Sequence, residues 1–243
     1  MKKLMSLILA LTIAFSLSSV TCFASDTSSI TSDGINGGPS GSLPARPEVI
    51  AEWQATNNEA AELAELRTAL VPTATNATWV NISGFVYYGQ QMSDSCGAAA
   101  VRMALRGLTG TAPAESVVRT GCQWVSGTGT YMDKCRAYLN GEQSLHTYDD
   151  KYSILKSLFN NNLYNAISDG APPIVGIAIT EDEGWFYDTS GHALTIYGVL
   201  SDKSEYKIAD PWGGYVNMSA WKQYEKSSSE LWTAYDRNQG YIA

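Results

Sequence analysis

The stretch CGAAAVRMALRGLTG (96–110) decides how this chain is read. Val101, Leu105 and Leu108 fall at i, i+4 and i+7, one stripe of an α-helix, and Gly107 or Gly110 ends it. The helix begins at Cys96. A helix N-terminus carries N–H groups without intrahelical partners and a partial positive charge. Both favour thiolate over thiol, and the thiolate is the nucleophilic form. Gly97 allows close approach of a substrate backbone, and Ala98, Ala99 and Ala100 leave little bulk nearby. A cysteine at a helix start is more often a buried structural residue, so its company along the chain has to decide its role.

Upstream, ATWVNISGFVYYGQ (77–90) is rich in β-branched and aromatic residues and reads as strand. Downstream, helices are expected around 113–119, 131–139 and 152–167, the last stopped by Gly170. The character then changes. PPIVGIAI, HALTIYGVL and EYKIAD read as consecutive strands. Helices first and strands second is the α+β pattern. The chain contains no internal repeat.

Four residues in this order can share one reaction. Gln90 stands six residues before Cys96. Its amide and the backbone N–H of Cys96 are candidate donors to an oxyanion, with Gln91 as the alternative if the register differs. The chain has two histidines. His192 opens an apolar strand, where it can face a cleft while the strand fixes its backbone. His146 sits in a polar segment that reads as loop. Asp210 ends the following strand. If the two strands pair antiparallel, Asp210 comes to lie beside His192, where a carboxylate fixes the imidazole tautomer and steadies its charged form. An Asp before Pro can equally well be a turn cap, and Asp210 taken alone leaves both readings open. Trp185, Tyr187, Trp212 and Tyr215 flank these blocks and are read as core and rim rather than as cleft lining.

Together, YYGQQMSDSCGAAAVRMAL, GHALTIYGV and IADPWGG resemble the three motif blocks of bacterial papain-like peptidases, most of all cysteine peptidase family 39, the bacteriocin-processing type, and its standalone members. The resemblance spans about 85–221 and includes GTGTYMDKCRAYLN as the family's middle helix. It implies a papain-like α+β fold, with the nucleophile helix packed on a mainly antiparallel sheet. It also implies the catalytic set Gln90, Cys96, His192 and Asp210, no cofactor or metal, and a peptide or protein substrate. The same set also serves acyl transfer and deamidation, and a non-catalytic exported binding protein on this scaffold is the remaining alternative. Two departures stand out. Ala98 replaces the Pro that many members carry after Cys-Gly. The transporter-linked members cut after double glycine, whereas this chain carries no transporter segments, so that specificity is not carried over. Gly37-Gly38 is followed by Pro39, a poor leaving-side residue, so self-cleavage there is not expected.

Bulk properties bound the rest. The 243 residues fit one domain with extensions, and 44% hydrophobic residues suffice for a core. Lys2 and Lys3, the apolar run 4–20 and Cys22-Phe23-Ala24 form a signal peptide over 1–24, which implies export. The apolar run is short and dotted with serines for an uncleaved anchor, so no stable membrane association is expected after cleavage. Residues 25–47 read as a disordered linker, and 48–76 as a helical arm, pro-segment or spacer. The papain-like domain is expected over 77–243. The formal net charge is −8, more negative once Lys2 and Lys3 are removed, and no basic run exists to bind phosphates, which excludes a nucleic-acid role. Cleavage leaves Cys96, Cys122 and Cys135. The odd number flags one free thiol. Cys122 and Cys135 are spaced either for a disulfide across a short loop or as two small buried residues. There is no HExxH and no G-x-S-x-G, so metal and serine chemistry lack their residues.

Overall fold

The computed structural model describes residues 42–43, 76–151, 155–238 and 240–243. The expected signal peptide (1–24), the linker (25–47) apart from 42–43 and the helical arm (48–76) apart from Asn76 lie outside the described residues. Ser42–Leu43 forms a short strand, β1, within the expected linker. Backbone groups pair regardless of side-chain pattern, so composition gave no sign of it.

Trp79–Asn81 is β2. Cys96–Thr109 is α1, Glu115–Gly121 is α2, Thr130–Tyr131 is β3 and Met132–Glu142 is α3. Asp150–Lys151 is β4 and Lys156–Ser168 is α4. The strands Ile174–Ile179 (β5), Thr189–Leu200 (β6) and Glu205–Ala209 (β7) follow. The short helix Pro211–Tyr215 is α5. Gln223–Ser227 (β8), Ser228–Asn238 (α6) and Tyr241–Ile242 (β9) complete the described chain. The order, helices and then strands, is the α+β papain-like arrangement expected. The strand expected over 77–90 shrinks to three residues, because Tyr87, Gly89 and Gln90 are used in a loop instead.

The main sheet runs β4-β9-β5-β6-β7-β8, with β2 also on β6. Every one of these pairings is antiparallel. β1 pairs in parallel with β3 in a separate two-stranded ladder. Successive residues of a strand face opposite sides, and the core divides accordingly. Ile174 and Ala193 join the cluster around α1, α2 and α3. Val175, Leu194 and Ile196 join the other, with Phe159 and Leu163 of α4 and Leu231 and Tyr235 of α6. Because both faces of β5 are covered, PPIVGIAI is a continuous apolar run rather than an alternating one.

α1 packs on β6. Ala98, Ala100 and Ala104 are fully buried and let the helix come close. The Thr195 hydroxyl reaches across to donate to the Ala100 carbonyl at 3.2 Å. Gly110, at φ 76°, ends the helix in the left-handed conformation that glycine adopts without strain. Among the described residues, no helix is long and apolar enough to cross a membrane.

Candidate active site

Cys96 is the first residue of α1, preceded by Ser95 as the N-cap, and the first turn contains no acidic residue to oppose a thiolate. The side chain is fully buried. Gly97 behind it is required by packing: a Cβ there would stand 2.5 Å from Thr130 Cγ2 and 3.3 Å from Cys135 Sγ.

His192 and Asp210 are delivered by the β6–β7 ladder. Thr195 pairs with Ala209 and Ile196 with Ile208. The start of β6 and the end of β7 therefore meet, as the antiparallel argument required. His192 Nε2 and Asp210 Oδ1 are 2.8 Å apart, and both residues are fully buried. Cys96 adds its charge to the field at the ring, and Nδ1 is buried without a hydrogen-bond partner of good geometry among the described residues. Burial pushes the imidazole down. The charge of Asp210, the charge of Cys96 and hydrogen bonds to both outweigh it and raise His192 from 6.5 to about 9. The imidazole therefore holds its proton at neutral pH.

Asp210 fills both roles that the sequence left open. It caps α5, accepting from the Trp212 N–H at 2.9 Å on Oδ1, and it pairs with His192 through the same oxygen. Its other oxygen, Oδ2, accepts from the hydroxyls of Tyr187 and of Tyr224, the latter at 2.9 Å. Burial first, and then the charge of Asp210, push both phenols well above their ordinary 10, so both stay protonated and donate.

Gln90 is buried, and its Nε2 donates to the Met92 carbonyl at 2.8 Å. Its backbone N–H donates to Pro211 O at 3.1 Å, and Tyr87 donates to Asp210 O at 2.8 Å. Gly89 and Gly214 pack backbone to backbone: a Cβ on Gly89 would stand 2.7 Å from Gly214 Cα. The loop carrying Gln90 is thus fastened to the turn carrying Asp210. Gln91 contributes only its N–H, donated to Glu115 Oε1 at 2.9 Å. Glu115 is fully buried at the start of α2 and also accepts from the Ser95 hydroxyl at 2.7 Å. It braces the segment between Gln90 and Cys96, and burial raises its carboxyl. Sequence reasoning missed this brace, as it missed Tyr87 and Tyr224. Each acts across a gap that no periodic pattern marks.

The remaining candidates separate cleanly. His146 stacks edge-on against Tyr148 and lines a surface pocket with Asp149, Lys151, Asn162 and Asp169; burial lowers its pKa. Cys122 and Cys135 are fully buried free thiols. A side-chain hydrogen bond donated to Cys122, together with burial, pushes the Cys135 thiol up. Trp185, Tyr187 and Trp212 belong to the core, whereas Tyr215 is 45% exposed and stacks on Trp212 as rim.

Among curated proteins, none matches the chain. Solved structures resemble it at low identity. The peptidase domain of Streptococcus ComA, a bi-functional ABC transporter involved in quorum sensing, is 14% identical, with 65% of this chain and 96% of that one covered and a TM-score of 0.46. A double glycine motif protease from an AMS/PCAT transporter, in complex with its leader peptide, is 16% identical, with 67% and 91% covered and a TM-score of 0.44. Xylellain, a cysteine protease from Xylella fastidiosa, is 11% identical, with 85% and 95% covered and a TM-score of 0.47. A family model matches residues 82–239, well over half of the chain, and this chain therefore belongs to the Peptidase_C39 like family of cysteine peptidases.

Proposed function

We propose that this protein is an exported peptidase that hydrolyses peptide bonds with Cys96 as nucleophile. The observation that carries the proposal is the buried His192: Asp210 Oδ1 stands 2.8 Å from its Nε2, the charges of Asp210 and Cys96 both raise it, and its proton is held at neutral pH. His192 rests as imidazolium beside Cys96, the sulfur nucleophile. The thiolate attacks the scissile carbonyl, and the oxyanion is received by the Cys96 N–H and the Gln90 amide. The amide has two N–H hydrogens; the one on Met92 O holds it in place, and the second serves the oxyanion. Imidazolium Nδ1–H then protonates the leaving amine, leaving a thioester. Water attacks the thioester as Nδ1 takes its proton. Cys96 departs as thiolate, and the starting pair is restored. Asp210 holds the ring throughout.

A peptide-library digest tests this reading and gives the specificity. Hydrolysis that disappears in Cys96→Ala and in His192→Ala, with both variants folded, is the expected result. Full activity in either variant overturns the assignment. Transfer to an added amine without hydrolysis, or deamidation of glutamine side chains, would keep the site and replace the reaction.

A further inference from the structure

Asp210 is a charged group with no exposed surface, and such a charge persists only where hydrogen bonds replace water. Here the replacement is complete. A carboxylate has about four acceptor sites, two on each oxygen. Oδ1 takes His192 Nε2 and the Trp212 N–H, and Oδ2 takes the Tyr187 and Tyr224 hydroxyls. The two phenols arrive from separate elements. Tyr187 lies five residues before His192, on the segment entering β6, and its ring stands edge-on to the imidazole at 5.8 Å. Tyr224 sits on β8, paired with Ile208 just before Asp210 on β7. A carboxylate held on both oxygens cannot turn without breaking two bonds, so its Oδ1 stays aimed at His192.

We propose that Tyr187 and Tyr224 are positioning residues of the active site, clamping Oδ2 of Asp210 so that its aim on His192 persists. This deepens the proposed function and rests on His192 and Asp210 acting as a pair. Both hydroxyls are committed to Asp210, so the effect belongs in kcat rather than in KM.

The test uses Tyr187→Phe, Tyr224→Phe and the double variant, which keep the rings and remove only the hydroxyls. Tyr206→Phe and Tyr241→Phe are the comparators, since their buried hydroxyls bond Asn160 and Asn162 away from the site. Losing a hydrogen bond to a charged group typically costs about 10- to 100-fold in the equilibrium it supports. The expected result is a fall of that order in kcat for the double variant with KM unchanged, and single variants in between. On the resting protein, the downfield proton resonance of the His192 Nε2–H bonded to Asp210, identified by its loss in Asp210→Ala, should move upfield or vanish. It should persist in the comparators. A resonance unchanged in the double variant overturns the proposal whatever happens to kcat. So does an equal loss in Tyr206→Phe. Should the double variant not fold, each single variant carries the same readout. The resonance needs no substrate, so failure to find any hydrolysed peptide would sink the proposed function and leave this proposal still decided.

Discussion

Replacing Asp210 with Asn removes one buried negative charge and changes the side-chain shape little. His192 stands at about 9 against an ordinary 6.5. Each pH unit corresponds to about 1.4 kcal/mol, so the imidazolium is favoured over imidazole by about 3 kcal/mol more than in water. Two groups push the value up, and burial pushes it down. The charge of Asp210 outweighs that of Cys96, and its hydrogen bond outweighs that of Cys96. Asp210 is therefore the foremost of the groups that raise the value. Asp210→Asn should lower His192 from about 9 toward its ordinary 6.5. The direction of the linkage follows from the raised value: the pair's contribution to stability is fully present below about 6.5 and is lost as pH rises through about 9. The alkaline limb of kcat/KM follows the same proton, so it should fall from near pH 9 toward neutrality in the variant.

The chain holds two histidines, His146 and His192, so the titration can be read directly. In a His146→Gln background, the one remaining imidazole is followed by NMR across pH 5 to 10. Wild type should titrate near 9 and Asp210→Asn clearly lower. An unchanged midpoint would refute the reasoning. It would mean that Tyr187, Tyr224 and the Trp212 N–H already cancel the carboxylate's field at the imidazole, leaving Cys96 as the sole source of the shift.

Three further outcomes are expected. Gln90→Ala should lower kcat by about 10²- to 10³-fold, the usual cost of one oxyanion donor, while alkylation of Cys96 continues at its normal rate; slowed alkylation would instead place Gln90 in activating the thiol. Gly89→Ala forces a Cβ to within 2.7 Å of Gly214 Cα, a backbone atom with little room to move. It should destabilise the fold by about 1–3 kcal/mol, read as a lower midpoint in urea, and cost activity as well. In native protein, iodoacetamide should modify Cys96 first, because the protonated His192 supports its thiolate, whereas the Cys135 thiol is pushed up by Cys122 and by burial; burial does not separate the three cysteines, which are all fully buried. Peptide mass spectrometry locates the labels.

Much of the site could be read from the sequence because its signals are local or follow from strand order. Cys96 at a helix start needs only the apolar stripe of α1. His192 beside Asp210 needs only that β6 and β7 pair antiparallel, and Thr195 opposite Ala209 delivers that. Asp210 before Pro211 left a cap and an imidazole partner open, and the side chain is both, because one oxygen accepts from Trp212 N–H and His192 together. The strand expectation over 77–90 was too broad. Aromatic and β-branched residues favour strands only where they fit a pleated surface, and Tyr87 instead turns its hydroxyl to the Asp210 carbonyl. Tyr224, fourteen residues from Asp210, and Glu115, twenty-four from Gln91, act through the tertiary fold alone.

The fastening of the Gln90 loop to the Asp210 turn has its own consequence. The proposed oxyanion donor, Gln90, and the carboxylate proposed to orient His192, Asp210, come from opposite ends of the domain sequence, yet Gln90 N–H on Pro211 O, Tyr87 on Asp210 O and the Gly89–Gly214 contact join them into one unit. α1, held on the other side by Thr195 on Ala100 and by Glu115 on Ser95, is the second unit. A substitution that loosens the first unit should move Gln90 and Asp210 together relative to Cys96. Oxyanion stabilisation and imidazole orientation would then fail as a pair. Gly89→Ala and Asp210→Asn combined should therefore cost less than the sum of the two alone, the signature of residues that act through one shared structure.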